Sequence, residues 1–551
     1  MNTTDPDRAS RDAAHCVIGV DVGTASARAG VFDRSGRMLA AASHEISVFH
    51  APGSIVEQSS TEIWQAVCRA VKDARAQAGI AAAQVTGLGF DATCSLVVLG
   101  PGGAPLPVGP SDDPRRDTIV WMDHRAVAQA ERINAGGHAV LAYVGGRISP
   151  EMETPKLLWL REHRPAVFDA AWQFFDLTDF LTWRATGDLA RSTCTITCKW
   201  TYLAHEKRWD ESYFRSIGLG GLADEGFARI GASAVAPGTA LGRGLTDAAA
   251  AELGLAAGTP VAAGLIDAHA GGLGTVGATG DPVSTLGYVF GTSSCTMTTT
   301  RRPVFVPGVW GPYFSAMVPD AWLNEGGQSV AGAAIERLLA LHPAAAEARR
   351  DADGAGVALP VWLAGRAARR AANLSDTVAL AEGLHVVPEF LGNRAPRADP
   401  HARAVIAGLG MDTDLDSLVA LYVAGLCGLG YGLRQIIEAQ AAAGAPIAQV
   451  VISGGAGRLD LVRQLLADAT GKAVLATRAD EPVLLGAAML GAVAAGHCAD
   501  VPSAMAAMSQ IGRTYAPAGG RIAALHDARY RAYTRLQSVA HEIRDAERGA
   551  A

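Results

Sequence analysis

Hydrophobic and polar positions along this chain predict a mixed α/β protein. Residues 17–33 read as a buried strand, a tight turn at Gly23-Thr24, and a second strand that returns beside the first. Residues 61–78 carry apolar side chains at helical spacing after a Ser/Thr start, and residues 85–90 form a short apolar run. This strand–helix–strand order is typical of an α/β domain.

A second hairpin of the same kind begins at Ser284. It consists of an apolar strand, a turn at residues 291–294 and a β-prone return, and its turn shares the pattern Gly-Thr-x-Ser with the first hairpin. Because the two hairpins lie half a chain apart, they predict two similar domains that each offer a loop to a shared cleft.

The rest of the pattern predicts further elements and the domain division. Apolar runs predict strands and long helices at residues 260–266, 450–452, 415–440 and 521–544. Residues 342–380, rich in Ala, Arg and Asp, are also predicted to be helical, without a functional interpretation. We expect a disordered tail at residues 1–14, an N-terminal domain at 15–272 and a C-terminal domain at 273–546.

Composition and charge narrow the function classes. The 551 residues are 49% hydrophobic and 18% charged, which is typical of a globular chain of two or more domains. A formal net charge of -7 without a Lys/Arg-rich block argues against a nucleic-acid or anionic-membrane partner. The eight cysteines are scattered and the first fifteen residues lack an apolar core, so we expect a cytoplasmic protein with reduced thiols.

The first hairpin carries groups suited to a phosphorylated nucleotide. Gly23 lets the turn approach a ligand closely, and the N–H groups and hydroxyls of the turn, that of Thr24 among them, can face an anion. Asp21 ends the buried strand, where a carboxylate needs a cation or donors, and Mg²⁺ carried by a nucleotide would supply one. An ordinary hairpin with a solvated Asp21 is the alternative interpretation.

A glycine-rich turn from Ser453 to Gly457 follows the predicted strand at 450–452. Its glycines let flat or anionic groups lie directly on the backbone. A helix-entry loop without a ligand is the alternative. No G-x-x-x-x-G-K-[ST] motif occurs, so nucleotide binding rests on the paired hairpins.

With its motifs in this order, the chain resembles the FGGY family of carbohydrate kinases over roughly residues 16–545. Residues 152–160 are similar to the first signature of the family, with a departure at Glu153, where a small residue or Pro is usual, and residues 425–439 resemble the second. The resemblance implies two actin-like (ribonuclease H-like) ATPase domains with a catalytic cleft between them. It also implies an ATP site made of Gly23, Thr24, Gly291, Thr292, Ser293, Gly454, Gly455 and Ala456, with Mg²⁺ near Asp21.

A kinase that acts on an alcohol needs a carboxylate close to the hydroxyl, to accept its proton as the phosphoryl group arrives. Asp267 is the candidate, because it ends an apolar strand among glycines that leave space for a substrate. A helix-capping Asp is the alternative. The Asp-x-His segment also resembles the part of the family that carries its catalytic base, and His269 is interpreted as a packing or supporting residue, since no metal-ligand partners are spaced around it.

Sugar recognition needs donors and acceptors that match several hydroxyls. Residues 91–93 (Asp91, Ala92 and Thr93), Lys199 and Glu325 lie on separate segments that are candidates to converge on the cleft, whereas exposed salt-bridge residues are the alternative for the charged ones. In each case the local segment looks like its counterpart in the ribulokinase branch of the family, where these positions contact the ketopentose. Residues 121–125 resemble another sugar-side segment, from which Asp123 is predicted to bind substrate.

The sequence therefore predicts an ATP-dependent kinase that converts D-ribulose to D-ribulose 5-phosphate, with Asp267 as base. L-ribulose, D-xylulose and ribitol remain alternative acceptors, because one inverted hydroxyl changes only which donors pair. A non-catalytic actin-like ATP-binding protein is the alternative from another class. The resemblance, and nothing else, implies a homodimer.

Overall fold

The computed structural model describes residues 15–550, so the tail predicted at residues 1–14 lies outside the described residues. In chain order the strands are β1 (Cys16–Val22), β2 (Ser26–Phe32), β3 (Met38–Glu45), β4 (Phe49–Ala51), β5 (Ile55–Gln58), β6 (Val85–Ala92), β7 (Leu96–Leu99), β8 (Thr118–Ile119), β9 (Gln173–Asp176), β10 (Arg191–Ser192), β11 (Ala234–Val235), β12 (Leu265–Ile266), β13 (Thr285–Phe290), β14 (Ser294–Thr300), β15 (Trp310–Phe314), β16 (Trp322–Gln328), β17 (His385–Val387), β18 (Val405–Ala407), β19 (Gln449–Ser453), β20 (Ala473–Thr477) and β21 (Ile511–Tyr515).

The α-helices are α1 (Ser60–Gln77), α2 (Val127–Ala135), α3 (Glu153–His163), α4 (Pro165–Ala170), α5 (Leu177–Thr186), α6 (Thr193–Trp200), α7 (Glu211–Ser216), α8 (Gly220–Asp224), α9 (Asp247–Leu253), α10 (Asp267–Val276), α11 (Gly332–Ala340), α12 (Ala345–Gly354), α13 (Leu359–Arg369), α14 (Leu415–Ala442), α15 (Asp460–Thr470), α16 (Pro482–Ala494), α17 (Val501–Met508) and α18 (Gly520–Ala550). Both predicted hairpins and both long predicted helices are present. The α/β prediction is confirmed.

The two large sheets repeat one topology. In the first sheet, of order β12-β6-β1-β2-β3, the neighbours β1, β2 and β3 pair antiparallel, while β6 is parallel to β1 and β12 is parallel to β6. In the second, β13, β14 and β16 pair antiparallel, while β19 is parallel to β13 and β20 is parallel to β19. The two sheets are therefore built from the same plan, as the paired hairpins predict.

Helix α16 packs so closely on the first sheet that the backbone of the helix contacts the backbone of the strands. A Cβ atom on Gly19 of β1 would lie 2.0 Å from the carbonyl oxygen of Leu484, and one on Gly89 of β6 would lie 1.9 Å from that of Ala487. No side chain fits there, so glycine is required by the close approach of helix and strands. This contact ties a late segment of the chain to the opening hairpin.

One helix, α14, is long and apolar enough to cross a membrane by length and composition. However, 78% of its most apolar stretch is buried inside the protein, as expected for the core helix of a globular domain. The apolar residues from Pro482 to Ala494 form the shorter helix α16.

Two local predictions differ from the structure. The strand predicted at 260–266 is regular only over Leu265–Ile266, since Val261 and Ala262 bridge to Leu88 and Ala240 on opposite sides instead of continuing one ladder. The helix expected near Asp123 begins only at Val127. In both places, hydrogen bonds to residues distant in sequence determine the backbone conformation, and local periodicity does not predict such contacts.

Candidate active site

Three carboxylates meet at one edge of the first sheet. Asp21 near the end of β1 lies directly opposite Asp91 of β6, and Asp91 in turn pairs with Leu265 of β12. Asp267 follows β12 immediately and begins α10. Because the three strands are parallel, their carboxyl ends lie at the same edge and present these side chains to the same space.

Asp21 and Asp91 form an acid pair. Asp21 is 3% exposed and accepts a hydrogen bond of 2.8 Å from Nε of Arg28, whose guanidinium also donates over 2.8 Å to Glu481. Burial, and then the neighbouring Asp21 carboxylate, raise the pKa of Asp91 well above its ordinary value. Because Asp21 is buried and accepts a hydrogen bond from Arg28, the alternative of a solvated hairpin Asp21 does not hold.

Asp267 is the half-buried member of the three. Its Oδ1 accepts a hydrogen bond of 2.7 Å from the N–H of Ala268, in the first turn of α10. Burial, and then the charge of Asp21, raise its pKa to about 6. A carboxylate with this pKa is ionised at neutral pH and is a stronger base than an ordinary Asp.

Lys199 and Glu325 lie on the other side of this carboxylate edge. Lys199, in the last turn of α6, lies 5.7 Å from the ring centroid of Trp310, and the guanidinium of Arg394 lies at the same distance from that ring. Burial lowers the pKa of Lys199, but the acidic groups around it, Cys94 and Glu325 foremost, hold that pKa well above its ordinary value. A cation, an aromatic face and a carboxylate thus face one region, a donor set suited to a polyhydroxyl ligand.

Glu325 in β16 is 7% exposed, and its Oε2 lies 3.2 Å from Nε2 of His269. Burial alone would raise the pKa of Glu325, but the hydrogen bond and the charge of His269 lower that pKa to about 2. Glu325 is therefore a fixed carboxylate rather than a general acid.

A cavity of about 550 Å³ lies beside the second hairpin. Its polar lining includes Gly291 and Thr292 of the hairpin turn and Gly455 and Arg458 of the glycine-rich turn, and its apolar lining includes Tyr422. The volume and the mixed lining are those of a small-molecule site. The structure thus brings two of the three predicted nucleotide segments to one cavity.

The turns that line this cavity are rigidly docked. The carbonyl oxygen of Thr292 accepts hydrogen bonds from the N–H groups of Ala331 (2.9 Å) and Ala333 (3.2 Å), where α11 begins, and the carbonyl of Ser293 accepts one from Gly291. Gly454 has φ of 92°, and a Cβ there would lie 2.4 Å from the carbonyl oxygen of Phe290. Only glycine fits this left-handed, crowded position.

The remaining predicted residues are Gly23, Thr24, Ala92, Thr93 and Ala456. The N–H of Gly23 donates to the carbonyl of Ser26, and the hydroxyl of Thr24 accepts a hydrogen bond of 2.9 Å from the indole of Trp121. Ala92 and Thr93 follow Asp91 directly, both buried. Neither Gly23 nor Thr24 lines the cavity beside the second hairpin. Ala456 lies in the turn at 455–458, and its side chain is outside the described part of the structure.

Strand β14 connects the cavity to the carboxylate edge. It begins at Ser294, immediately after the turn that lines the cavity, and its next residue, Cys295, lies within electrostatic range of Asp267. Burial, then Glu325, and among further groups Asp267 raise the pKa of the Cys295 thiol to about 11. Strand β14 thus leads from the turn that lines the cavity to the neighbourhood of Asp267.

Asp123 is placed differently from the other predicted sugar residues. It is fully buried, and its Oδ2 accepts hydrogen bonds of 2.7 Å from the N–H of Val56 and from the guanidinium of Arg125. Arg125 also donates over 2.8 Å to Glu57, so these side chains form a buried ion cluster. The structure does not bring Asp123 to the carboxylate edge, because its oxygens are engaged in this cluster.

Several residues at the site carry no distinctive sequence signal. Arg28 sits within the quoted hairpin as an ordinary strand residue, and Arg394 lies in the turn-rich segment 386–397 without a recognisable pattern. Trp310 stands in a strand with no motif. Their contacts with Asp21 and Lys199 depend on tertiary structure, and only the aromatic or cationic character of each offers a hint.

Comparison with known proteins matches both halves of the chain to one family. Residues 16–274 match the FGGY family of carbohydrate kinases, N-terminal domain, and residues 286–495 match the C-terminal domain of that family. The chain is 46% identical over 513 residues to an FGGY carbohydrate kinase domain-containing protein of Homo sapiens, covering 91% of this chain and 92% of that protein. It is 37% identical over 512 residues to a D-ribulokinase of Saccharomyces cerevisiae, covering 87% of this chain and 71% of the yeast protein.

Solved structures agree on the fold. A xylulose kinase from Rhodospirillum rubrum superposes with a TM-score of 0.80 at 22% identity, covering 96% of this chain and 99% of that one. A xylulose kinase from Brucella ovis gives 0.78 at 23% identity, over 96% of this chain and 100% of that one. The two-domain actin-like ATPase architecture is thereby confirmed.

Proposed function

Because this chain belongs to the FGGY family of carbohydrate kinases, we propose that it transfers the γ-phosphoryl group of ATP to the O5 hydroxyl of D-ribulose. Family membership makes it an ATP-dependent sugar kinase. The choice of D-ribulose is supported by the relative of 37% identity that is a D-ribulokinase.

The observation that carries the proposal is the position of Asp267. It begins α10 at the edge where Asp21 and Asp91 meet, half-buried, with a pKa of about 6. Asp21 is held by Arg28, and burial, then Asp21, raise the pKa of Asp91 well above its ordinary value, so we assign the proton-accepting role to Asp267. That division of roles among neighbouring acids is what a general base requires.

The reaction then follows from the placement of these groups. The O5 oxygen attacks the γ-phosphorus, the bond from that phosphorus to the β–γ bridging oxygen breaks, and ADP leaves with the electron pair. Asp267 takes the O5 proton as the new O–P bond forms. Glu325 and Lys199 hold the sugar hydroxyls, so that O5 faces Asp267 and water does not take its place.

ATP would occupy the cavity beside the second hairpin. Its adenosine would lie against Gly455 and the apolar wall at Tyr422, and its phosphates would face the turn at Gly291 and Thr292. Gly23 and Thr24 are proposed to reach the phosphates from the opposite domain, which requires closure of the cleft.

Mg²⁺ fits the donor set of this site. Both oxygens of buried Asp91 lack a hydrogen-bond donor among the described residues, and Asp21 offers a further carboxylate oxygen, a hard oxygen environment of the kind Mg²⁺ prefers. The described residues contain no group of three or more His, Cys, Asp or Glu that would form a metal cage, which suits an ion brought in with its nucleotide. When bound, it would be held by Asp21 together with the phosphates and would neutralise charge on them.

The proposal is tested by measuring ADP release with a panel of D-ribulose, L-ribulose, D-xylulose and ribitol. The highest kcat/KM is expected for D-ribulose, with ATP hydrolysis in the absence of sugar at least about 100-fold slower than turnover, because a closed site excludes water. A higher kcat/KM with one of the other three would reassign the acceptor. Sugar-independent hydrolysis, or no turnover with any of them, would instead favour a non-catalytic ATP-binding protein.

The pH dependence of kcat/KM should report Asp267. Its pKa of about 6 belongs to the proton that must be absent for catalysis, so activity is expected to rise with pH through 6 and reach a plateau above it. Below pH 6, kcat/KM should fall about tenfold per pH unit, since only the ionised fraction reacts. Initial rates at subsaturating D-ribulose between pH 5 and 8 provide the measurement, and a flat profile over that range would contradict the assignment.

We also propose a domain division near residue 272, a homodimer and a cytoplasmic location. These three proposals rest on the family resemblance or on composition. Seven of the cysteines are free thiols in the described structure, which suits a reducing compartment: Cys68, Cys94, Cys194, Cys198, Cys295, Cys427 and Cys498.

A further inference from the structure

A chain of buried polar groups runs beneath the sugar side of the cleft. The Sγ atom of Cys194 in α6 lies 3.1 Å from Nδ1 of His269, and Nε2 of that histidine lies 3.2 Å from Oε2 of Glu325. All three side chains are buried, with Cys194 fully inaccessible and His269 1% exposed. The three residues come from α6, α10 and β16, so the chain of contacts links both family domains through the helix that begins with Asp267.

The groups around Cys194 favour a thiolate. The N–H of Ile266 donates to the sulfur of Cys194 over 3.3 Å, Nδ1 of His269 lies 3.1 Å from that sulfur, and the Cys198 thiol is also hydrogen-bonded to it. A buried sulfur that accepts from several donors is stabilised as a thiolate. When that sulfur is a thiolate, His269 has an acceptor beside each ring nitrogen, and an imidazolium satisfies both with its two N–H groups.

Other acidic groups near Cys194 do not oppose this arrangement. Asp176 and Asp179, from β9 and α5, lie within electrostatic range of the thiol. Burial raises the pKa of Asp176 well above its ordinary value, which favours its neutral form, and the carboxylate of Asp179 accepts hydrogen bonds from Ser192 and Thr195. Among the described residues, His269 is the group in hydrogen-bond contact with both Cys194 and Glu325.

We propose that His269 is a positioning residue that holds the Glu325 carboxylate against the sugar, as the centre of a thiolate–imidazolium–carboxylate relay that begins at Cys194. The proposal rests on the proposed function, since it assigns Glu325 to sugar binding. His269 lies two residues after Asp267 on α10, so the relay also fixes the sugar acceptor Glu325 relative to the catalytic base. A sugar that engages Glu325 is then presented to Asp267 in one orientation.

Two amide variants of His269 separate positioning from packing. In His269→Gln the amide nitrogen reaches the place of Nε2 and still donates to Glu325, whereas in His269→Asn it stops at the place of Nδ1. We expect His269→Asn to raise the KM for D-ribulose about tenfold or more, as for loss of a hydrogen bond to a charged group, and His269→Gln to raise it about threefold or less. The KM for ATP should change less than twofold in both.

The coupling to Glu325 is measured by a double-mutant cycle. The factor by which His269→Asn raises the KM for D-ribulose is measured in the wild-type and in the Glu325→Gln background. This factor is expected to be at least about threefold smaller in the Glu325→Gln background, because the two residues act through one contact. Equal KM values for the Asn and Gln variants, or effects that multiply independently in the cycle, would overturn the positioning role.

The thiolate is tested without any sugar. At a fixed pH of 7.5, the ultraviolet spectrum of the wild-type protein minus that of Cys194→Ser should contain the absorbance of one thiolate near 240 nm. Cys427→Ser, which removes another buried free thiol, in α14, should give no such difference. A spectrum without a thiolate band overturns the relay even if D-ribulose is the substrate. A failed D-ribulose assignment instead shows in the sugar panel and leaves the spectrum unchanged, and the KM comparisons are then made with the sugar that is turned over.

Discussion

Asp267→Asn is expected to lower kcat with D-ribulose by about 10²- to 10⁴-fold, the contribution of a general base to proton transfer. The substitution keeps the shape and the hydrogen bond from the N–H of Ala268, but it removes the carboxylate that accepts the O5 proton. ATP affinity, measured by calorimetry in the absence of sugar, should change less than about threefold, because Asp267 does not line the cavity beside the second hairpin.

A matched control comes from another helix of the same domain. Asp247 is the first residue of α9, as Asp267 is of α10, but Asp247 is exposed and remote from the carboxylate edge. Asp247→Asn should leave kcat unchanged. Near-normal turnover of Asp267→Asn would remove that residue from the mechanism, and a parallel loss in both variants would indicate a general effect of weakening the start of a helix.

The convergence of Asp21, Asp91 and Asp267 is the part of the site that the sequence predicts well. Each residue lies at or just after the carboxyl end of a short apolar run, and parallel strands bring such ends to one edge. The duplicated hairpin pattern likewise predicts the repeated sheet topology. These are local signals whose spatial result follows from general rules of α/β folds, so little tertiary information is needed.

The partners of these residues could not be predicted in the same way. Arg28 bridges Asp21 and Glu481, which lies 453 positions along the chain from it, and His269 joins Cys194 to Glu325 from 75 and 56 positions away. Pairings over such separations depend on how α16 and α10 pack on the sheets. The sequence shows that these residue types are present, but no periodicity or spacing in it predicts which of them contact each other.

Asp123 is the predicted sugar residue that the structure does not bring to the carboxylate edge. Its segment resembles a sugar-binding segment of the family, and a carboxylate there is chemically suitable. In the structure the partner it finds is Arg125, two residues away, and their ion pair is sealed by Glu57 and the N–H of Val56. The burial of this charged cluster depends on the packing of β5, β8 and the loop that follows β8. Resemblance at one segment carries no information about that packing.

Asp123→Asn is therefore expected to lower the free energy of unfolding by about 3 kcal/mol, because removal of one member of a buried ion cluster leaves Arg125 incompletely neutralised. The KM for D-ribulose of the folded fraction should stay within about twofold of the wild-type value. Asp113→Asn is the matched control, since Asp113 pairs with Arg115 at the same two-residue separation but on the surface, where loss of the pair should cause no measurable change in stability. Denaturant titrations and initial rates on the same samples give both quantities. A raised KM with unchanged stability would instead assign Asp123 to sugar binding. Loss of a residue that binds substrate changes the affinity for the sugar, whereas loss of a residue that neutralises a buried cation changes the free energy of unfolding.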